Sequence, residues 1–289
     1  MNLLFDSFWR AAAYCLHPRV ILLSLAPLLL MAAMALALGY FFWEPALDAV
    51  SAAIASWELM STFVDWLDSV GLAGLKAALA PLVVVFVTTP MIVVVSLLVV
   101  AALMAPAIVK LVADRRFPSL HRAHGGSLVG GTVAALGATL VALLALVLSI
   151  PLWLVPPLVL IVPPLIWGWL TYRVMSYDVL AEHASREERQ QVIRRHRHSL
   201  FAIGVISGYL GAAPSLVWVS GAMVVVLAPV LVPLAIWIYM LVFAFSALWF
   251  AHYALAALQA LRAERRIVDA AMPHRRDVPP ALPPATEAP

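Results

Sequence analysis

Fifty consecutive residues, 123–172, separate Arg122 from Arg173 without one Asp, Glu, Lys or Arg, and five prolines interrupt the second half of that run. They are Pro151, Pro156, Pro157, Pro163 and Pro164. An ion at the centre of a bilayer costs about 2.5–3.5 kcal/mol on insertion scales, so a charge-free stretch of this length is suited to hydrocarbon. Proline removes a backbone donor and clashes one turn back, which argues against an undistorted helix through these positions. Broken backbone at membrane depth survives only where protein or a watery cavity satisfies it. The feature therefore predicts an all-α, polytopic membrane helical bundle containing an irregular hairpin.

Three further charge-free runs set the number of spans. Arg19 and Glu44 enclose 24 uncharged residues, Lys76 and Lys110 enclose 33, and Arg197 and Arg262 enclose 64. A helix needs about 20 apolar residues to cross about 30 Å of hydrocarbon, so the two longest runs each hold a helical pair. Six segments follow, at 20–43, 77–104, 128–150, 152–171, 201–227 and 230–257. Segments three and four meet at Ile150-Pro151, and five and six near Ala228-Pro229, without a polar loop at either place. Both pairs are candidates for hairpins that enter the bilayer only partway. The alternative is a tight turn at the far interface, with Trp153 and Trp218 in the aromatic belt. The apolar run from Val20 is long enough to stay as an uncleaved anchor despite the Ala35-Leu36-Ala37 tripeptide.

Connections carry the orientation signal. The first holds Glu44, Asp48, Glu58, Asp65 and Asp68, with Lys76 at its end. The second holds Lys110, Arg115, Arg116 and Arg122 against Asp114, and Arg173, Arg186, Arg189, Arg194, Arg195 and Arg197 crowd the third. The positive-inside rule places both termini and the basic connections in the cytoplasm. Two amphipathic helices are expected beside the spans. One runs from Leu47 to Ser69 at the outer interface, and the other covers Phe5 to Leu16 at the inner. Domain boundaries fall at 1–265 for the membrane domain and 266–289 for a disordered Pro-rich tail. A faint repeat at an offset of 76 pairs Tyr177 with Tyr253, Arg186 with Arg262 and Glu188 with Glu264.

No Asp, Glu, Lys or Arg falls inside a predicted span, which tilts a transport reading towards a passive channel rather than an ion-coupled carrier. Protease motifs are absent from the sequence, and an enzyme is not expected. Cys15 is the only cysteine, so neither a disulfide frame nor a thiolate cluster is available. His252, the one ionisable group at depth, reads as a neutral histidine bonded to a neighbouring helix. Gly126, Gly130, Gly131, Ala135 and Gly137 form a small-residue ridge for close helix packing. Asp178, Glu182 and His183 match no established metal spacing; no metal or cofactor is expected. Arg194-Arg195-His196-Arg197-His198 suits either anionic headgroups or an anion vestibule at a pore mouth.

These residues also resemble a known family. Pro18 and Pro27 after an early helix, Met104-Ala105-Pro106 at the end of span two, the Pro-rich block and Tyr177-Asp178-Val-Leu-Ala-Glu-His-Ala-Ser-Arg-Glu-Glu-Arg189 are similar to the CysZ-like, etoposide-induced family of integral membrane proteins. The likeness covers about residues 5–265 and is greater to the bacterial branch than to CysZ itself. It implies partly penetrating hairpins and a link to sulfate uptake. In the stretch that contacts sulfate in that family, this chain reads Pro18-Arg19-Val20-Ile21-Leu22, keeping a single arginine.

The expectation that follows is a bacterial inner-membrane channel or permease for a small solute, with an anion such as sulfate among the candidates. Its path would involve Arg19, Pro106, Arg173, Tyr177, Asp178, Arg194, Arg195 and Arg197. The alternative is a non-transporting scaffold that binds a partner protein. A homo-oligomer in the lipid bilayer is expected, and the net charge of +3 gives no reason to expect nucleic acid.

Overall fold

The computed structural model of the protein describes residues 2–71, 73–123, 125–212 and 223–271. Among the described residues every regular element is helical: α1 (Asn2–Cys15), α2 (Pro18–Ser56), α3 (Glu58–Ser69), α4 (Ala73–Arg116), α5 (Leu128–Ser149), α6 (Pro156–Ala181), α7 (Arg186–Arg195), α8 (Arg197–Ala212) and α9 (Met223–Ala271). Five helical stretches are long and apolar enough to cross a membrane. Their outer surfaces agree: Phe86 is 80% exposed and Leu154 87%. Large apolar side chains displayed this way belong against lipid tails rather than water. The protein is a polytopic, all-helical membrane protein.

Several expected boundaries move. At 1.5 Å per residue, α2 is about 58 Å long and α4 about 66 Å, so each outruns the hydrocarbon. The first half of the expected outer amphipathic helix is in fact the continuation of α2, which passes Pro45 and ends at Ser56. Trp57 is extended (φ −97, ψ 108), and only Glu58–Ser69 forms a separate amphipathic helix. Prolines fail to break most of these helices: Pro81, Pro90 and Pro106 sit inside α4, and Pro163 and Pro164 inside α6. In an apolar surrounding the remaining ladder is too costly to abandon for one missing donor. The irregular part of the Pro-rich block shrinks to a 3₁₀ turn, Ile150–Leu154, followed by extended Val155.

The expected turn at Ala228-Pro229 is not there, because α9 is continuous from Met223. The expected segment 201–227 falls partly on 213–222, and so does Trp218; both lie outside the described residues. Residues 266–271, assigned to the tail from sequence, are the last turns of α9, while 272–289 lie outside the description. The offset-76 repeat is not reproduced locally. Its first copy breaks between α6 and α7, whereas its second remains one helix.

The chain forms two compact units. One comprises residues 11–109 and 209–248. In it Trp237 Nε1 donates to Ser24 Oγ at 3.0 Å, and Ser96 Oγ donates to Met34 Sδ at 3.5 Å, tying α9 and α4 to α2. The Thr88 hydroxyl returns a bond to the Val84 carbonyl at 2.7 Å, so it serves its own helix rather than a path.

The other unit comprises residues 1–10, 110–208 and 249–289. Its core is α9 from Trp249 to Leu261, where Trp249, Phe250, Leu255 and Leu258 are fully buried. A helix stretch this rich in apolar side chains belongs largely in an interior. Within this unit α6 meets α8 at glycine-to-backbone range: a Cβ added at Gly168 would stand 2.6 Å from Val205 Cα. Gly208 faces the Pro164 carbonyl, and Gly204 faces that of Gly168. Such small residues let membrane helices gain dispersion contact that larger side chains would prevent.

Candidate functional site

Ser185 opens α7 with a complete capping box. Its hydroxyl accepts from Glu188 N–H at 3.1 Å, and the Glu188 carboxylate accepts from Ser185 N–H at 2.9 Å. The Ser-x-x-Glu pattern of residues 185–188 dictates this local fold, because each side chain satisfies one orphan donor of the helix start. Glu187 and Glu188 lie in the first turn of α7, and Arg194 and Arg195 in the last, as the helix dipole favours.

That capped corner is tied down by Arg262 of α9. Its Nε donates to Glu188 Oε1 at 2.9 Å, and Nη2 to Oε2 at 2.9 Å. Nη1 also donates to the His121 carbonyl at 2.9 Å, and Nη2 to that of His183 at 2.7 Å. One guanidinium thus joins three segments that are distant in sequence. Its hydrogen bond is the main reason that the Glu188 carboxyl is held below its ordinary range, ahead of burial's opposing effect. His183 is 1% exposed, and burial is the leading cause that pulls its imidazole below the ordinary value.

Arg189 completes the knot. It donates to the Gly125 carbonyl at 3.1 Å, and its guanidinium lies 4.3 Å from the centre of the Tyr177 ring. On α5, Gly130 and Gly131 make room for that ring: a Cβ at Gly131 would stand 3.0 Å from Tyr177 Cε1. Gly126 donates its N–H to the Ala181 carbonyl at 2.9 Å. The predicted small-residue ridge is therefore a packing surface for α6, except at Gly137, which has open space beside it. Arg122 binds Glu182 at 3.1 Å and Asp114 at 3.5 Å.

A second cluster joins α1, α4 and α9. Arg116 donates from Nη2 to Asp6 Oδ2 at 2.7 Å and from Nη1 to His252 Nδ1 at 3.1 Å. His252 thus accepts a bond from a neighbouring helix, as its sequence position suggested. Asp6 is also bonded by Arg10 Nε at 2.9 Å, the largest contribution to its lowered pKa.

The sequence-predicted path residues fall in different settings. Arg19 is exposed in the first turn of α2, where its N–H donates to His17 Nδ1 at 3.2 Å. Pro106 is exposed within α4. On α6, Arg173 is exposed with its guanidinium 5.9 Å from the Trp169 ring centre, Tyr177 is half-buried in the knot, and Asp178 is exposed. Arg194, Arg195 and Arg197 are exposed at the α7–α8 junction. Arg195 is ion-paired with Glu264 at 2.5 Å, and Arg197 Nε donates to His198 Nε2 at 3.1 Å. The structure brings Tyr177 and Arg189 together and gives the central place to Arg262, which in the sequence stands out only as the end of a charge-free run and as the repeat partner of Arg186.

Two recesses flank the knot. One of about 510 Å³ is bordered by Ser119, His121, Ser185, Glu188, Arg265 and Arg266. A smaller one of about 80 Å³ lies between α7 and α9 beside Arg195, His196 and Glu264. Among the described residues no three His, Cys, Asp or Glu gather in a geometry that could hold a metal ion.

Comparison with known proteins gives a family match. The family described as Sulfate transporter CysZ/Etoposide-induced protein 2.4 matches residues 7–221, from α1 past the end of α8. No curated protein and no solved structure matches the chain. The match takes in the capped corner, the small-residue ridge and the Pro-rich block, and it covers well over half of the sequence. This chain belongs to the sulfate transporter CysZ/etoposide-induced protein 2.4 family of membrane proteins.

Proposed function

We propose that the protein is a passive permeation protein of a bacterial inner membrane, that it conducts a small anion, and that its knot faces the cytoplasm. The observation that carries the reading is Arg173. It closes the 50-residue uncharged run, leans on Trp169, and has no carboxylate partner among the described residues. A guanidinium at the edge of an apolar span, unneutralised by an acid, is a natural transient partner for an oxyanion. Arg194 and Arg197, exposed further along, would raise the local anion concentration.

Family membership supports transport in general and sulfate in particular, though the stretch Pro18-Arg19-Val20-Ile21-Leu22 leaves selectivity to other residues. The test is flux of sulfate, chloride and a neutral solute into proteoliposomes, for the native protein and for Arg173→Gln. Saturable anion flux that drops several-fold in the variant, at equal incorporation, supports the reading. Absent flux in folded native protein removes it and favours the scaffold alternative. That alternative draws on the same knot: a segment so firmly tied could present Arg186, Glu187 and Gln190, all exposed, to a partner.

A further inference from the structure

The recess of about 510 Å³ beside the knot has a charge balance that the knot does not need. Among the described residues Glu188 is its sole acidic border, and Arg262 and the Ser185 N–H already bond that carboxylate. Arg262 is spent in turn, bonding Glu188 and the carbonyls of His121 and His183. This pair forms a fixed, neutral floor. Above it stand Arg265 and Arg266, both exposed and both at the edge of the recess. Arg265 commits one donor to Gln191 Oε1 at 2.6 Å. Arg266 makes no ion pair among the described residues, and nearby Glu264 is already held by Arg195.

Residues 262, 265 and 266 follow the three-and-four spacing that places side chains on one helix face. Two adjacent guanidinium groups with no carboxylate partner among the described residues repel one another, and the repulsion is relieved by a bound anion. Their two surplus charges match a phosphate monoester, which carries about −1.5 to −2 near neutral pH, or a pyrophosphate, whose total charge is larger. Ser119 and His121 add a hydroxyl and an imidazole at the rim. The volume lies within the range of small-molecule sites, roughly 300–1,000 Å³. Among the described residues its apolar lining consists of Leu120, Ala123 and Ala263, with no aromatic ring on which a base could stack.

We propose that this recess binds a multiply charged phosphate group through Arg265 and Arg266, over the floor made by Arg262 and Glu188. The shared chemistry admits two sources, a soluble phosphate compound or the headgroup of an anionic lipid. The site lies beyond the family-matched residues on its α9 side and does not depend on permeation.

Two arms separate the sources. In the first, full-length protein in nanodiscs of phosphatidylcholine alone is titrated with inorganic pyrophosphate by calorimetry. In the second, the protein is placed in nanodiscs containing phosphatidic acid, and retained lipid is counted by native mass spectrometry. Arg265→Gln/Arg266→Gln is compared with Lys110→Gln, an exposed basic side chain outside the recess. The expected result is saturable binding in one arm, weakened about tenfold or more by loss of the charge-assisted bonds and unchanged in Lys110→Gln. Arg266→Gln alone removes no hydrogen bond or ion pair seen among the described residues and repeats the test if the double variant misfolds. Binding in neither arm overturns the proposal, as does binding that survives Arg266→Gln or falls equally in Lys110→Gln.

Discussion

Arg262 of α9 grips Glu188 of α7 with two parallel bonds of 2.9 Å, and the pair keeps only 18% and 11% side-chain exposure. Because Glu188 also caps its own helix, removal of Arg262 leaves a carboxylate without its counterion and two carbonyls without donors. Breaking a buried pair costs roughly 3–5 kcal/mol, and residual exposure here lowers that to about 2–4 kcal/mol. Arg262→Met should therefore lower the thermal midpoint in detergent markedly. Arg262→Met/Glu188→Leu should recover part of the loss, since no uncompensated charge then remains. A single variant indistinguishable from native protein would refute the structural role of the pair.

Gly168 should tolerate no side chain. A Cβ there meets Val205 Cα at 2.6 Å and Val205 N at 2.9 Å, atoms of backbone that cannot rotate away. Gly168→Ala forces α6 and α8 apart, a cost of about 1–3 kcal/mol typical of overpacking. Gly137→Ala, with open space beside it, is the matched control and should leave yield and midpoint unchanged. Equal behaviour of the two variants in a folding-yield and melting comparison would contradict this helix crossing.

The difference between those two glycines shows how far the sequence could be read. The glycine ridge at 126–137 was legible because its spacing repeats, yet its partner, Tyr177, was not, since spacing reveals a face and not what covers it. Gly168, Gly204 and Gly208 lie in two apolar runs, and nothing local announces that they cross. The charge-free blocks forecast the spans because hydrocarbon excludes ions regardless of tertiary detail. Proline misled at 163, 164 and 229, where the apolar environment enforces the helix that proline alone would weaken. The Ser-x-x-Glu spacing of residues 185–188 stands in the sequence without being singled out there as a helix cap, and the pairing of Glu188 with Arg262 spans 74 residues and follows only from the fold.

Tyr177 should depend on its ring rather than its hydroxyl. The ring fills the space that Gly130 and Gly131 leave, and carries the Arg189 guanidinium at 4.3 Å. Tyr177→Phe keeps both features and should melt within about 1 kcal/mol of native protein, whereas Tyr177→Ala loses the packing and a cation–π contact of about 0.5–2 kcal/mol. Melting curves of the two variants side by side would decide; a more severe Phe variant would contradict the assignment.

Acid should loosen the knot in two stages. His183 and His196 have pKa values lowered from 6.5, in each case chiefly by burial. Their neutral forms therefore favour the fold. The unfolded chain takes up the protons first, so this stability is present above pH 6.5 and lost as pH falls below it. Glu188 is lowered from 4.5, chiefly by the Arg262 bond, so its contribution is full above pH 4.5 and lost as pH falls further. The thermal midpoint should decline from pH 7 to 5 and again below 4.5. In Glu188→Gln the second decline should shrink; a full second decline in that variant would assign it to other carboxylates.

The exposed pair Arg195–Glu264 offers a test of the permeation reading in which two variants must move in opposite directions. Both side chains are about half exposed, at 54% and 51%, so their bond should contribute little to stability and neither variant should shift the melting point. Their charges nevertheless add to the potential at the proposed cytoplasmic mouth. Arg195→Gln leaves Glu264 uncompensated, which repels an approaching anion, while Glu264→Gln leaves Arg195 uncompensated, which attracts it. Anion flux into proteoliposomes should fall in the first and rise in the second, and a neutral solute should be indifferent to both. The contrast should fade as ionic strength rises, because exposed charges are screened over about 8 Å at physiological salt. Shifts of the same sign in both variants, or a neutral solute that follows the anion, would place the pair away from any permeation path.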